Sequence, residues 1–317
     1  RERHIAMRHH FASIVFLALF GSHACIAADV PCHAVDVCVY GGTASGVMAA
    51  LAAGKEGANV ILVEPSRWLG GMTGGGINHL DWGKGNTVGG STYKILMEGV
   101  KEQPRAHGGH AVQGIGNRAY RERFKKAVED RGITVIYNHR VGKVQVGDRT
   151  IDSPTRKDPI AMNESFAVTN QSNSIRSISL DYAPVDETGC PIPVPEKRNA
   201  ITVSAKVFID CSYEGDVLGM SGVSYTWGRE AREHYDESLA GVRPSLWVHN
   251  IDPYIEPGNP ESGLVPFVQD RKIGPLGSAD TLSMGYCFRH EFDMSGEGIP
   301  IPAATNYDPA EFEVYRR

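Results

Sequence analysis

No stretch of this 317-residue chain is apolar for long enough to cross a bilayer, which takes about 20 consecutive residues. Basic charge is not in excess either. The 32 Lys and Arg stand against 37 Asp and Glu, a formal charge of −5, so no general basic field is available for nucleic acid. Cysteine is scarce, at six residues. Cys25 falls in a leader-like stretch. Cys32, Cys38, Cys190, Cys211 and Cys287 are an odd, scattered set without CxxC spacing. That pattern reads as neither a disulfide framework nor a zinc site, and it argues against a disulfide relay. Cys38, in mid-strand, reads as a small buried hydrophobe. There is no internal repeat. With 41% hydrophobic and 22% charged residues, the composition is globular, and the length suits one large domain or two ordinary ones.

Glycine is abundant: 36 of 317 residues, roughly 11% against about 7% on average. Fourteen lie from Gly41 to Gly90, among them Gly41, Gly42, Gly46, Gly70, Gly71, Gly74, Gly75, Gly76, Gly89 and Gly90. Clustered glycine without a collagen period marks backbone that turns sharply or meets a ligand closely.

Residues 1–6 precede Met7, so either Met7 is the start or the chain is cut from a longer one. From Met7 the pattern is Arg8-His9-His10, an apolar run from Phe11 to Phe20, and small residues to Ala28. This reads as a secretory signal over 1–28, cleaved after Ala27 or Ala28, with the mature protein secreted or periplasmic and free of an integral membrane segment. The chain ends at Arg317 without a helix stop, which reads as truncation at the C-terminus.

Val35–Tyr40 is a continuous apolar run, the mark of a strand buried on both faces. An alanine-rich helix follows from Ala44 to Ala53, ending near Gly54 or Gly57. Val60–Val63 is a second apolar strand, and the whole is a βαβ unit with a parallel sheet. Asn117 is placed to cap a later helix with Tyr120, Phe124, Ala127 and Val128 at helical spacing, a Glu122–Lys126 pair, and Gly132 as the stop. Ile133–Tyr137 is the next buried strand. From Val141 to Ile209 the pattern turns β: Phe166/Val168 and Ile178/Leu180 alternate about a turn at Gln171–Asn173. Ile201, Val203, Ala205, Val207 and Ile209 alternate without a break. The expected fold is α/β: a Rossmann-like domain with a parallel sheet over 34–230, with a β-rich segment at 141–205, and the start of a second, cap-like substrate domain over 231–317.

The chemistry concentrates at Gly41-Gly42-Thr43-Ala44-Ser45-Gly46. The dinucleotide fingerprint is GxGxxG between strand and helix: a tight turn, a close approach to the pyrophosphate, and close helix–strand packing. The pyrophosphate rests on the helix N-terminus. Gly41 and Gly46 match, and Thr43 replaces the middle glycine. Glu64 ends the second strand 23 residues after Gly41, near the offset of about 20 for the acid that binds ribose. An acid there favours a free ribose hydroxyl over a 2′-phosphate. Glu64 is therefore expected to serve the cofactor, and its loss to change the apo fold little. A second glycine segment, Leu69 to Gly76, favours FAD over NAD, because a flavin dinucleotide needs backbone close along its further half. A third element, Lys206 to Asp216, is a buried strand ending in Asp210 that brings a turn and a short helix to the carboxyl edge of the sheet.

The segments "VYGGTASGVMAALAA", "VILVEP", "LGGMTGGG", "FIDCSYEGDVLGMSGVSYTWGREA", "YDESLAGVR", "SGLVPFV", "GSADTLSMGYCFRHEF" and "NYDPAEFEVYRR" resemble the secreted bacterial FAD-dependent oxidoreductases, some of which carry the label "xanthan lyase". The likeness runs from about Val35 to the end. It departs at Cys211-Ser212, where an Ala-Thr pair is common, and at Tyr286-Cys287, where Tyr-Asn is common. The resemblance implies FAD as cofactor. It places Gly41, Gly42, Thr43, Ala44, Ser45 and Gly46 on the pyrophosphate and Glu64 on the adenosine ribose. Gly70, Gly71, Met72 and Thr73 go to the ribityl or flavin side and the Val141 backbone to the adenine. Asp210, Gly215 and Asp216 close the cleft. Family members are usually longer, with a further FAD-contacting segment toward the C-terminus.

Other residues carry weaker signals. His107 and His110 lack partners for a metal, and no metal is expected. His79 and Asp81 are acid–base candidates, with a solvated loop beside the cofactor as the favoured reading; Arg289, His290 and Glu291 are candidate substrate contacts, with ordinary loop or strand polar groups as the favoured reading. Tyr225 and Trp227 read as core aromatics. The expected activity is a secreted FAD-dependent oxidoreductase acting on a small-molecule substrate, sugar-like or otherwise organic. The alternatives are a NAD-dependent dehydrogenase and a truncated, non-catalytic nucleotide-binding module.

Overall fold

Valine-rich strands β1 (Cys32–Tyr40) and β2 (Val60–Glu64) lie parallel and in register, Tyr40 beside Val63. The connection between them is α1 (Ala44–Lys55). The computed structural model describes residues 30–75, 89–98, 101–104, 110–113, 116–153, 174–187, 189–243, 251–270, 273–282 and 307–317. The expected leader, the pair Phe166/Val168, the turn 171–173, Gly76, His79, Asp81, His107, Cys287 and 289–291 lie outside these residues.

After β2 come α2 (Gly71–Gly75), α3 (Gly90–Met97), the antiparallel pair β3 (Lys101–Pro104) and β4 (His110–Gln113), and α4 (Asn117–Asp130). Then follow β5 (Thr134–Tyr137), β6 (His139–Val146), β7 (Arg149–Asp152), β8 (Ile175–Tyr182) and β9 (Lys197–Asp210). Short helices α5 (Asp216–Met220), α6 (Arg232–Tyr235) and α7 (Glu313–Arg316) follow, with 3-10 turns at Pro260–Ser262 and Pro309–Phe312. No helix among the described residues is long and apolar enough to cross a membrane.

The main sheet has seven strands in the order β5-β2-β1-β9-β8-β6-β7. The first four are parallel, and β8, β6 and β7 continue it antiparallel. β9 joins the halves: Lys197–Ser204 pairs with β8, while Thr202–Asp210 runs beside β1. The expected β-rich segment is thus continuous with the parallel sheet through one long strand. β1 has β2 on one flank and β9 on the other, so the chain reverses direction across its carboxyl end. Ligands bind at such a point in open α/β sheets.

Both faces are buried, as the unbroken apolar runs require. On one face Cys38, Tyr40, Ile61 and Val63 pack with Val144, Ile178, Leu180 and Val203. On the other, Val39 and Leu62 pack with Val47 and Ala50 of α1 and with Tyr120, Phe124 and Val128 of α4. Cys38 is fully buried, and burial pushes its thiol up to about 12.

Several local expectations change. The cap position of α4 is Gly116, with Asn117 the first helical residue. Lys126 has an acid four residues away on each side, and its ammonium takes Asp130 at 2.7 Å rather than Glu122. Val207 is 51% exposed although it falls in the period-2 run. Along β9 the face toward the first core switches from Ile201, Val203 and Ala205 to Phe208, while Ile209 joins the second core. One alternation therefore does not describe the whole strand. Tyr225 and Trp227 are exposed rather than core, because they follow α5 in a stretch without helix or strand. Cys32 is disulfide-bonded. A single bridge is compatible with an odd cysteine count.

Candidate dinucleotide site

The carboxyl ends of β1, β2 and β9 bring three separated segments together. At the first, Gly41 has φ +93°, a left-handed value that favours glycine. A Cβ there would meet Ser212 N at 2.6 Å and Cys211 C at 2.7 Å. A Cβ on Gly46 would stand 1.9 Å from the Gly41 carbonyl oxygen. Both fingerprint glycines are thus demanded by the packing of β1, α1 and the segment after β9.

The middle position needs no glycine. Thr43 has φ −61° and ψ 172°, ordinary extended values, and it caps α1. Its hydroxyl accepts from Gly46 N at 3.2 Å and donates to the Cys211 carbonyl at 2.8 Å, with Ser45 Oγ 2.9 Å away. A threonine cap satisfies one of the otherwise free N–H groups of the first turn and ties the turn to the chain after β9. Ala44 and Ser45 open the helix just beyond it.

Glu64 is buried at the end of β2. One carboxylate oxygen accepts from Gly42 N at 2.7 Å and the other from Ser66 N at 2.7 Å. Burial pushes the Glu64 carboxyl upward, against these hydrogen bonds, and the charge of Glu214 adds to the rise. The carboxylate therefore braces the turn as well as facing the site, and the expectation that it matters little to the apo fold is revised.

The second glycine segment is a short helix, α2, rather than an open loop. Gly70 N donates to the Gly42 carbonyl at 2.7 Å, and Gly70 forms a parallel bridge with Thr43. Thr73 N donates to the Gly70 carbonyl at 3.0 Å. Glycine has low helix propensity, so tertiary contacts hold this turn. Leu69 is buried before it, and Met72 N donates to the Tyr213 hydroxyl at 2.8 Å. Gly71 lies under the Tyr213 ring edge, and Met72 itself is exposed.

Asp210 organises the third segment. Its carboxylate accepts from Ser212 N and Ser212 Oγ through one oxygen and from Leu218 N through the other, at 2.7–2.9 Å. Ser212 Oγ in turn accepts from Gly215 N and Asp216 N. Asp216 keeps one flank in solvent while its carboxylate accepts from the buried Tyr40 hydroxyl at 3.1 Å. Burial raises the Asp216 carboxyl, Glu214 and Asp210 add to the rise, and the Tyr40 bond opposes it. The Tyr40 hydroxyl also accepts from Val141 N at 3.2 Å. The Val141 N–H is therefore engaged within the chain, although its strand borders the site.

Three residues here were not singled out from sequence. Tyr40 ends a buried strand, and a buried tyrosine hydroxyl needs a partner; that was a usable signal. Tyr213 bridges two segments 141 residues apart, which no local pattern reveals. Asn138 adopts φ +59°, and its N–H donates to the Ser66 carbonyl. Its side-chain oxygen is buried without a hydrogen-bond partner among the described residues, directly after Tyr137, which pairs with Glu64.

A glycine turn at the reversal point of a parallel sheet, a capped helix beginning on it and a buried acid closing the next strand define a dinucleotide-binding α/β protein. The chain belongs to the FAD dependent oxidoreductase family, whose model matches residues 36–162 and 183–317. Among solved structures it is similar to a flavoprotein/dehydrogenase from Cytophaga hutchinsonii, with 15% identity, 62% of this chain and 44% of that one covered, and TM-score 0.34. It is also similar to 3-ketosteroid-delta4-(5alpha)-dehydrogenase from Rhodococcus jostii RHA1, with 16% identity, 56% and 45% covered, and TM-score 0.32. A third is CabE, an aromatic hydroxylase from angucycline biosynthesis, with 12% identity, 62% and 35% covered, and TM-score 0.38. The chain spans less than half the length of these proteins. Comparison with curated protein sequences finds no match.

The residues present fit FAD, the cofactor of the family. Two of the lone pairs on the Glu64 carboxylate are taken by backbone N–H groups, and an ionised carboxylate has about four. That leaves acceptors for ribose hydroxyls. The unpartnered acceptor of Asn138 lies on the neighbouring strand end, where a donor such as an adenine amino group would satisfy it.

Proposed function

We propose that this chain is the FAD-binding part of an exported oxidoreductase that acts on a small organic donor, sugar-like or otherwise. The single observation that carries the reading is the buried Glu64 carboxylate at the foot of the Gly41–Gly46 turn, 2.7 Å from Gly42 N. When bound, FAD supplies a flavin ring able to accept a hydride. The chain's own residues hold and orient it. The start of α1 at Ala44 and Ser45 faces the diphosphate, Glu64 takes the adenosine ribose, and the strand end at Asn138 and Val141 takes the adenine. Gly70 to Thr73 flank the further half, and the turn from Asp210 to Asp216 closes over it. No catalytic acid or base is assigned.

Purified protein reconstituted with FAD is expected to retain flavin absorbance through gel filtration, and a donor is expected to bleach it anaerobically. Protein that stays colourless yet binds NAD in titration would overturn the cofactor assignment.

Export is supported by the basic, apolar and small-residue order of residues 7–28. N-terminal sequencing of the cell-envelope or medium fraction is expected to begin near Ala28 or Asp29. Material that starts at Met7 would sink the proposal.

A further inference from the structure

Beside the glycine turn, the loop after β2 and the first half of α4 enclose a cleft of about 320 Å³. Its walls carry Arg67 and Trp68 from the loop and Arg118, Arg121 and Lys125 from the helix, with Glu122 the one acid among the lining residues. Spacings of three and four put Arg118, Arg121 and Lys125 on one helix face. The Arg67 guanidinium lies 4.3 Å from the centroid of a Trp68 ring, and that of Arg121 lies 3.9 Å away. Two cations thus share one indole.

Charge balance here is unlike that on the rest of the helix. Lys126 is matched by Asp130 at 2.7 Å. Among the described residues, Arg67, Arg118 and Arg121 make no ion pair, and Lys125 reaches only Glu129, at 3.9 Å on the exposed side. Four cations against one carboxylate leave a formal charge of +3 around the opening. Like charges at this spacing repel, and cation–π contact with Trp68 holds two of them in place. A guanidinium held over a ring by its central carbon still carries N–H donors at its rim, and those donors suit paired oxygens on a phosphate or sulfate.

Leu69 separates the cleft from the cofactor turn. It lines the opening, and its Cδ2 packs on the far side against Gly42, 2.6 Å from where a Cβ on that glycine would stand.

We propose that this cleft is a second ligand site that binds a tetrahedral oxyanion, phosphate or sulfate, free or as an ester on a small molecule. The inference does not depend on the cofactor reading. The test is calorimetric titration of the full chain at low ionic strength with inorganic phosphate and, separately, with sulfate, each with and without saturating FAD. Saturable one-site binding in the millimolar range or tighter, retained with FAD, is expected. Whichever anion binds more tightly names the group the cleft prefers. The double variant Arg118→Gln/Arg121→Gln is expected to weaken binding roughly tenfold or more, the worth of one charge-assisted hydrogen bond. Lys126→Gln, outside the cleft, is expected to leave it unchanged. The single variant Arg118→Gln, at an exposed side chain, gives a weaker effect of the same sign should the double variant melt early. Binding absent in both arms, or equal in the double variant and wild type, would overturn the proposal. So would binding abolished by FAD, or a double variant that loses FAD affinity in the same proportion, because the cleft would then belong to the cofactor site. Failure of FAD to bind at all would refute the cofactor reading and leave this result standing.

Discussion

Gly46→Val is expected to lower the melting temperature of the apo chain by roughly 10 °C. Overpacking of a tight core costs about 1–3 kcal/mol, and this position lies at or beyond the upper end of that range. Each kcal/mol is worth about 2–4 °C in a domain of this size. The obstacle is backbone: a Cβ at Gly46 would stand 1.9 Å from the Gly41 carbonyl oxygen and 3.2 Å from Cys211 Cβ. That carbonyl has little room to retreat. Gly41 N donates to Val63 O at 2.8 Å, and the space where a Gly41 Cβ would stand is closed by Ser212 N. The turn must open or α1 must lift, and either change also disorganises the helix start that faces the cofactor. FAD affinity is therefore expected to fall together with stability. Circular-dichroism melting with flavin titration checks this. A variant that melts like wild type would mean that α1 does not pack on the turn in this way.

Glu64→Ala is expected to lower FAD affinity ten- to hundred-fold, the equivalent of about 1.5–3 kcal/mol for charge-assisted bonds to ribose. It is also expected to destabilise the apo chain at neutral pH by about 1–3 kcal/mol, because Gly42 N and Ser66 N both lose their acceptor. The pH dependence has a definite sign. Burial lifts the Glu64 carboxyl above its ordinary value of 4.5, so the folded chain holds this proton more tightly than the unfolded chain does. The stability contributed by that preference is full below the unfolded value and is lost as pH rises through the folded one. The margin of wild type over Glu64→Ala is therefore expected to be widest in mild acid and to narrow toward neutrality. Asp216, also raised by burial, is present in both proteins and drops out of the comparison to first order. Denaturant titrations of the two apo proteins across this range measure the margin. A margin that widens with pH would show that ionised Glu64 is stabilised by its surroundings rather than penalised.

The two substitutions still separate, though differently from a reading of the fingerprint alone. Both weaken FAD binding and both cost stability. Only the Glu64 effect carries a pH dependence, because only there is a titrating group removed.

The order of β1, turn, α1 and β2, and the buried acid at position 64, follow from local pattern. Apolar runs without alternation predict strands covered on both faces. An alanine-rich segment predicts the helix between them. Glycine at positions 41 and 46 predicts the turn. Each rests on neighbours within a few residues, so chain context alone carries the information. Family resemblance added the cofactor, again through short segments.

The rest depended on partners far along the chain. Thr43 reads as a lapse in the fingerprint until its hydroxyl is seen to bond Cys211, 168 residues away. Tyr40 reads as one more core aromatic until Asp216, 176 residues on, accepts a hydrogen bond from its hydroxyl. Val207 reads as buried because its run alternates, yet the covering layer changes along β9 and leaves it exposed. The cations of the cleft come from a loop and a helix about fifty residues apart, and nothing in either segment announces the other. Periodicity and turn chemistry are properties of consecutive residues, so the sequence by itself determined β1, α1, β2, α4 and β5 and the position of the dinucleotide turn. Which hydrogen bonds close that turn, which faces are covered and which charges meet depend on how the strands are ordered in the sheet, and only the tertiary structure decided them.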